Sequence, residues 1–353
     1  MSYLTGNAKF MHKSLACITL LLFTVASSIA QDSLYLPSVL REDFQFIRHQ
    51  LFQVHANPFS HFTKDRYEKY LDSLEAGLTM PLTSTAFQQK AAAALQPLGD
   101  EHAALSLPKS DADRKAPSWA DSVATNISYR RFGDTGYIFA RSFGTRGNRD
   151  LLVYERCIDS IFALMRQDRV TRLLIDVSCN DGGASAVGSM LIDRIYSKPY
   201  QTYSMNWKRS DEYLAKLTSW GFHDEVYQKA VPGEVLHSPS HIVTPNEPPY
   251  RFTGKVIVLI GPRTFSSAIM FATLVQDNRM APLAGESPAN GHPTHFGELY
   301  SVTLPHTELE LRFGVKEWVR PAGRDTVNKL VPDIPCKLPA DGDISTLIKR
   351  LPW

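Results

Sequence analysis

The sequence predicts a layered α/β protein preceded by a helical segment, and three observations carry that expectation. Two short apolar runs, Arg172 to Val177 (RLLIDV) and Lys255 to Ile260 (KVIVLI), have the length and continuity of buried parallel strands. Each ends in a turn rich in glycine or serine and is followed by a helical pattern, the rhythm of βαβ crossovers. Upstream, between Arg41 and Leu95, apolar residues recur at three- and four-residue spacing.

The elements follow in chain order. Lys9, His12 and Lys13 give a basic start, and Leu15 to Val25 is apolar apart from Thr19 and Thr24. Ala26 to Ala30 then supplies the small residues that a signal peptidase reads, so residues 1–30 are expected to be a signal peptide, with the mature chain opening at Gln31. The alternative is an uncleaved N-terminal anchor, but the run is short for a bilayer. Arg41 to Val54 places Phe44, Ile47, Leu51 and Val54 on one helical face. Asp65 to Leu78 and Thr83 to Leu95 read as two further helices, so residues 31–108 form an N-terminal helical module. Pro108 to about Ala124 is polar and reads as a linker or surface loop. Residues 109–353 hold the α/β core. In it Gly136 to Phe143 is strand-like, Leu151 to Arg166 and Ala184 to Tyr196 are helical, Ser266 to Asp277 is a helix, and Leu299 to Val319 alternates as strands do.

Composition narrows the function. A 43% hydrophobic content supports a sizeable core, and a formal net charge of +2 leaves no basic footprint for nucleic acid. Beyond the leader no stretch is apolar and long enough to span a membrane. Cys157, Cys179 and Cys336 are too few for a disulfide scaffold, and no His-Glu-x-x-His, zinc-finger spacing, P-loop or dinucleotide fingerprint occurs, so no metal or organic cofactor is expected. Oligomeric state is not legible.

Three segments carry candidate chemistry. Asp176 to Gly183 (DVSCNDGG) ends a strand in a turn whose glycines let backbone N–H groups approach a ligand; a plain tight turn is the alternative. Gly261 to Ala268 (GPRTFSSA) places Ser266 at a helix start, either as an N-cap or as a nucleophile beside a free N–H. Leu98 to Leu105 (LGDEHAAL) holds His102, either a surface histidine or a general base. There is no Gly-x-Ser-x-Gly elbow, which argues against an ordinary α/β-hydrolase.

Taken together and in order, these motifs resemble the C-terminal-processing (tail-specific) serine peptidase family, tricorn-like members included. Arg41-Glu42-Asp43-Phe44 and His55-Ala56-Asn57-Pro58 resemble the helical start of its shorter bacterial members, and Asp100-Glu101-His102 resembles Asp-Gly-His-Thr. Leu174 to Gly183 resembles the strand ending in Asn-x-Gly-Gly, and Thr264 to Asp277 the nucleophile segment. Gly285-Glu286, Leu304-Pro305-His306-Thr307 and Val331-Pro332-Asp333-Ile334 complete the series. The resemblance implies a crotonase/ClpP-like layered core, with a substrate cleft between it and the helical module. It implies Ser266 as nucleophile, His102 as base, and an oxyanion hole from Ser267 and Gly182 or Gly183. The expected partner is a peptide or unfolded protein, outside the cytoplasm.

Departures from the family pattern shape these expectations. Near Asn290-Gly291-His292 the lysine of a Ser–Lys dyad is missing, which favours Ser–His. Ala103 replaces a usual threonine, and at the place of a late glutamate stands Thr326, with Asp325 beside it as an orienting acid. His292 and His295 are a second choice of base. The segment 108–124 is too short for a PDZ domain. Two other readings remain: a non-catalytic member that binds peptides or apolar ligands, and an acyl-CoA-handling enzyme of the same architecture, against which the leader argues.

Overall fold

The computed structural model describes residues 33–108, 123–339 and 342–353. The signal peptide expected at 1–30 and most of the linker expected at 108–124 lie outside the described residues.

The order begins with α1 (Pro37–Val54), α2 (Lys64–Ala76), α3 (Ser84–Ala91), a 3-10 turn (Ala92–Leu98) and β1 (Ala104–Ser106). After α4 (Val123–Asn126) come β2 (Ile127–Phe132), β3 (Thr135–Ala140), α5 (Asn148–Gln167), β4 (Arg172–Asp176) and α6 (Ser185–Ile195). Next are β5 (Tyr200–Gln201), β6 (Ser204–Lys208), α7 (Asp211–Ser219), α8 (Glu225–Lys229), β7 (Val235–Ser238) and β8 (Ile242–Val243). The chain closes with β9 (Lys255–Ile260), α9 (Ser267–Asp277), β10 (Leu283–Gly285), β11 (His295–Thr303), β12 (Glu310–Val319), β13 (Ile334–Pro335) and α10 (Ile344–Arg350).

Two main sheets result. The first runs β13-β10-β9-β4-β3-β2, parallel except for the β2–β3 pair. Its central strands are covered on both faces, which is why their sequences are unbroken apolar runs. Leu173, Ile175, Val258 and Ile260 face one cluster, and the alternate residues Leu174, Ile257 and Leu259 face another. The second sheet is antiparallel and centred on β12, with β11 along one edge and β1 and β6 along the other; β7 pairs β6.

The early helices share their core with this second sheet. Leu40, Phe44, Ile47 and Leu51 of α1 belong to one cluster with Trp207, Tyr300, Leu311 and Phe313. Residues 34–353 accordingly form one compact unit. Asp43 ties α1 to the turn after β11. Its carboxylate accepts the backbone N–H groups of His306 (3.1 Å) and Thr307 (2.8 Å) and the Thr307 hydroxyl.

At the C-terminal end of α9, the Asp277 carboxylate pairs with the Arg320 guanidinium just beyond β12, and both side chains are buried. Asp277 Oδ2 also accepts the Ala322 N–H at 3.1 Å. Asp277→Ala would leave a buried guanidinium without its counter-ion. The expected loss is about 3–5 kcal/mol of folding stability, read from urea unfolding midpoints. A loss below about 1 kcal/mol would mean that water reaches Arg320 in the variant.

Candidate active site

The C-terminal ends of β4 and β9 are adjacent, and both candidate turns leave from them. In open α/β sheets such strand ends are where ligands bind. The first turn is fixed by Asn180, which is fully buried. Its Nδ2 donates to the Ala140 carbonyl (2.8 Å) and its Oδ1 accepts the Gly182 N–H (2.9 Å). Phe143 then clamps the glycines. Its N–H donates to the Gly182 carbonyl, and its own carbonyl accepts the Ala184 N–H.

The second turn is bound to the first. The Thr264 hydroxyl donates to the Val177 carbonyl and accepts the Gly261 N–H, both at 2.9 Å. Phe265 N–H donates to the Asn180 carbonyl at 3.0 Å, and Ser267 Oγ donates to the Gly183 carbonyl. Contact is close enough that a Cβ on Gly182 would sit 2.7 Å from Ser266 Cβ. One on Gly183 would sit 2.1 Å from the Phe143 carbonyl carbon. Both glycines also have positive φ, 98° and 136°, so no side chain is tolerated at either place.

Ser266 has φ 53° and ψ −125°, outside the basins favoured by L-residues. An ordinary N-cap is extended and uses its side chain to cap the helix, whereas Ser266 does neither. A non-glycine residue in such a conformation costs about 1–3 kcal/mol and marks functional sites. Among the described residues, the N–H groups of Gly183 and Ser267 donate to no protein acceptor. The Gly182 N–H, by contrast, is taken by Asn180. Of the three oxyanion candidates, Gly183 and Ser267 therefore retain free donors.

His102 reaches the same place from the other side. Its ring packs against that of Phe265, the neighbour of Ser266, with centroids 4.8 Å apart. His102, Ser266, Ser267 and Gly183 line one cleft of about 620 Å³ between the first sheet's strand ends and the second sheet. The carboxylate beside His102 is Asp100. Its Oδ1 accepts the His102 backbone N–H (2.8 Å) and lies 3.6 Å from His102 Nδ1. Its Oδ2 accepts the Gly314 N–H (2.7 Å) and lies 3.5 Å from Nε2 of the fully buried His55. Burial pushes the Asp100 carboxyl up, but His102, His55 and the Gly314 N–H together hold it well below the usual carboxylate range.

Asp325, the acid expected to orient the base, is exposed in the loop after β12, and none of its contacts reaches His102. The local signal for Asp100 was present in the sequence: aspartate commonly accepts the N–H two residues on.

The other two histidines differ from each other. His292 pairs with Glu101 on the rim and does not line the Ser266 cleft. His295 does line it, at a ring-centroid distance of 6.3 Å from His102. Burial drives its imidazole down to about 4, with the Pro293 carbonyl pulling the other way and His102 adding to the fall. An unfolded histidine takes its proton near pH 6.5. Between about pH 6.5 and 4 the unfolded chain thus holds a proton that the folded chain does not, and stability falls as pH falls. We expect His295 to contribute a loss on the order of 3 kcal/mol across that window. His295→Gln should flatten this slope in urea titrations at pH 7.5 and 4.5. An unchanged slope would place the acid sensitivity elsewhere.

Cys157, Cys179 and Cys336 are unpaired thiols. Among the described residues no helix is long and apolar enough to cross a membrane.

Comparison with known proteins places this geometry in context. No curated protein matches the sequence. Among solved structures, a Parabacteroides merdae protein described as a candidate peptidase superposes with a TM-score of 0.60 at 16% identity, covering 86% of this chain and 91% of that one. Mature CPAF gives a TM-score of 0.59 at 13% identity, covering 89% and 96%. A lipoprotein from Streptococcus agalactiae gives 0.53 at 15% identity, covering 88% and 97%. At these identities the likeness is one of fold, here the mixed α/β fold of such peptidases. The profile of peptidase family S41 matches residues 134–336, a span that contains both glycine-rich and serine-bearing turns and begins after His102. That match covers more than half of the chain: the protein belongs to peptidase family S41 and is a serine peptidase.

Proposed function

We propose that the chain hydrolyses peptide bonds through a covalent intermediate on Ser266. The observation that carries this is the strained Ser266 backbone beside two unspent N–H donors, in a cleft shared with His102. As Ser266 Oγ attacks the substrate carbonyl, its proton passes to His102 Nε2. The new Oγ–C bond forms and the carbonyl electron pair moves onto oxygen. The N–H groups of Gly183 and Ser267 stabilise that oxyanion. Collapse breaks the C–N bond, and His102 returns the proton to the leaving amine. Water then attacks the acyl-enzyme with His102 again as base, which releases the acid and regenerates Ser266. Asp100, in place of Asp325, orients the His102 ring through Nδ1. Asp100 starts from a buried, backbone-anchored position, whereas Asp325 is exposed.

In the same reading the layered core is of the crotonase/ClpP type and the helices of residues 37–98 form a module beside the cleft. The leader of residues 1–30 directs the chain out of the cytoplasm, where it acts on peptides or unfolded proteins. Location is tested by the mass of the exported chain, expected to begin at Gln31.

The chemistry is tested with a fluorophosphonate probe and an unfolded protein substrate. The wild type should label and cleave, and Ser266→Ala should do neither. Labelling that persists in Ser266→Ala would move the nucleophile elsewhere. A wild type that neither labels nor cleaves would point to a peptide-binding protein on this fold.

A further inference from the structure

The charged groups in the Ser266 cleft are already matched, with one exception. Asp181 pairs with Arg263 at 2.7 Å. Glu298 pairs with Lys316 at 2.7 Å and accepts the Tyr213 hydroxyl at 2.9 Å. His295 is neutral at physiological pH because it is buried. Arg312 also lines this cleft, is exposed, and forms no ion pair or side-chain hydrogen bond among the described residues. Even Glu310, two residues along the same strand, does not pair with it.

Arg312 is firmly placed. It lies within β12, opposite Ser301 of β11 on one side and Ala104 of β1 on the other. Its neighbours Leu311 and Phe313 point the other way, into the core shared with the early helices. Ala104 is two residues past His102, so the strand holding the guanidinium adjoins the segment holding the base. Leu299, Met270 and Trp318 supply apolar surface to the same cleft.

A planar guanidinium on a rigid strand, without a partner and beside apolar walls, matches one chemical group well: a carboxylate, which it binds through two parallel N–H···O bonds. We propose that Arg312 is a carboxylate-binding subsite of the Ser266 cleft, and that substrates with a carboxylate near the scissile bond are preferred. That carboxylate is either the free C-terminus of a peptide or an Asp or Glu side chain. The inference rests on the peptidase reading above and deepens it by naming the substrate class.

The test uses quenched fluorescent peptides in matched pairs. One pair has a C-terminal acid or the corresponding amide; the other pairs are amidated and carry Glu or Gln at each position flanking the cleaved bond. Each enzyme is scored by its own ratio of kcat/KM for the charged and neutral member, so the fraction of folded protein cancels. In the wild type at least one pair should show a charged-member preference of about ten- to a hundredfold, the scale of a charge-assisted hydrogen bond. The pair that shows it identifies the source of the carboxylate. Arg312→Gln should bring that ratio to near one, and Arg312→Glu should bring it below one. A wild-type ratio near one in every pair, or a preference that survives Arg312→Gln, overturns the subsite. Fluorophosphonate labelling of Ser266 reports the peptidase reading separately. Should the protein label yet cut none of these peptides, equilibrium binding of the same pairs to Ser266→Ala, with and without Arg312→Gln, decides by the same ratio.

Discussion

Ser266→Ala should lower kcat by about 10⁴- to 10⁶-fold while leaving the folded chain intact. The size follows from the role, since without Oγ no acyl-enzyme forms and only the oxyanion donors and substrate binding remain. Folding should be unharmed or improved. Ser266 Oγ makes no hydrogen bond among the described residues, so its removal orphans no partner. The strained backbone is retained by the clamped turns on either side. The check is steady-state kinetics beside a urea titration of the same preparation. A variant that loses activity together with several kcal/mol of stability would show Ser266 to be structural. A variant with near-normal kcat would remove it from the mechanism.

Asp100→Asn should be the second most damaging change. The variant keeps the size of the side chain but removes its negative charge and one acceptor. In serine hydrolases the acid behind the histidine fixes the ring's tautomer and stabilises the imidazolium, and its amide replacement costs about 10⁴-fold in kcat. Here the ring nitrogen is 3.6 Å from the carboxylate, so about 10²- to 10⁴-fold is expected. KM should change little, because Asp100 does not line the Ser266 cleft. The same substitution has a pH signature in stability. A carboxyl held below its unfolded value, near 3.9, stabilises the fold above that pH and loses this contribution as pH falls through its folded value. Asp100→Asn should therefore be less stable than the wild type at neutral pH, with the gap closing in acid. A kcat within a few-fold of wild type would hand the orienting role to another group.

How much of this was legible beforehand differs from one element to the next. β4 and β9 were readable because both faces are buried, so their residues are apolar without alternation. β11 and β12 were readable in outline from their alternation. Nothing in residues 200–243 announced β6, β7, α7 or α8. β6 carries Asn206 and Lys208 beside Trp207, β7 is a four-residue edge strand, and both helices are shorter than three full turns. In the site, the placement of Ser266 and the paired glycines at strand-to-helix junctions was written locally. The placement of Asp100 beside His102 follows from the turn it makes, which order along the chain does not reveal. Arg312 sits between two buried residues and reads as an ordinary solvent-facing position. Only the placement of β12 beside the strand ends of the other sheet makes it part of a cleft.

The tie between Asp43 and Thr307 spans 264 residues of sequence. A ribosome releases α1 long before it makes β11 and β12, whose Tyr300, Leu311 and Phe313 fill the core beneath that helix. α1 thus remains without these packing partners until residues 300–313 have been made. Asp100 waits for the N–H of Gly314 in the same way. In the proposed mechanism, a chain that stops short of β12 therefore lacks the backbone anchor of the acid behind His102.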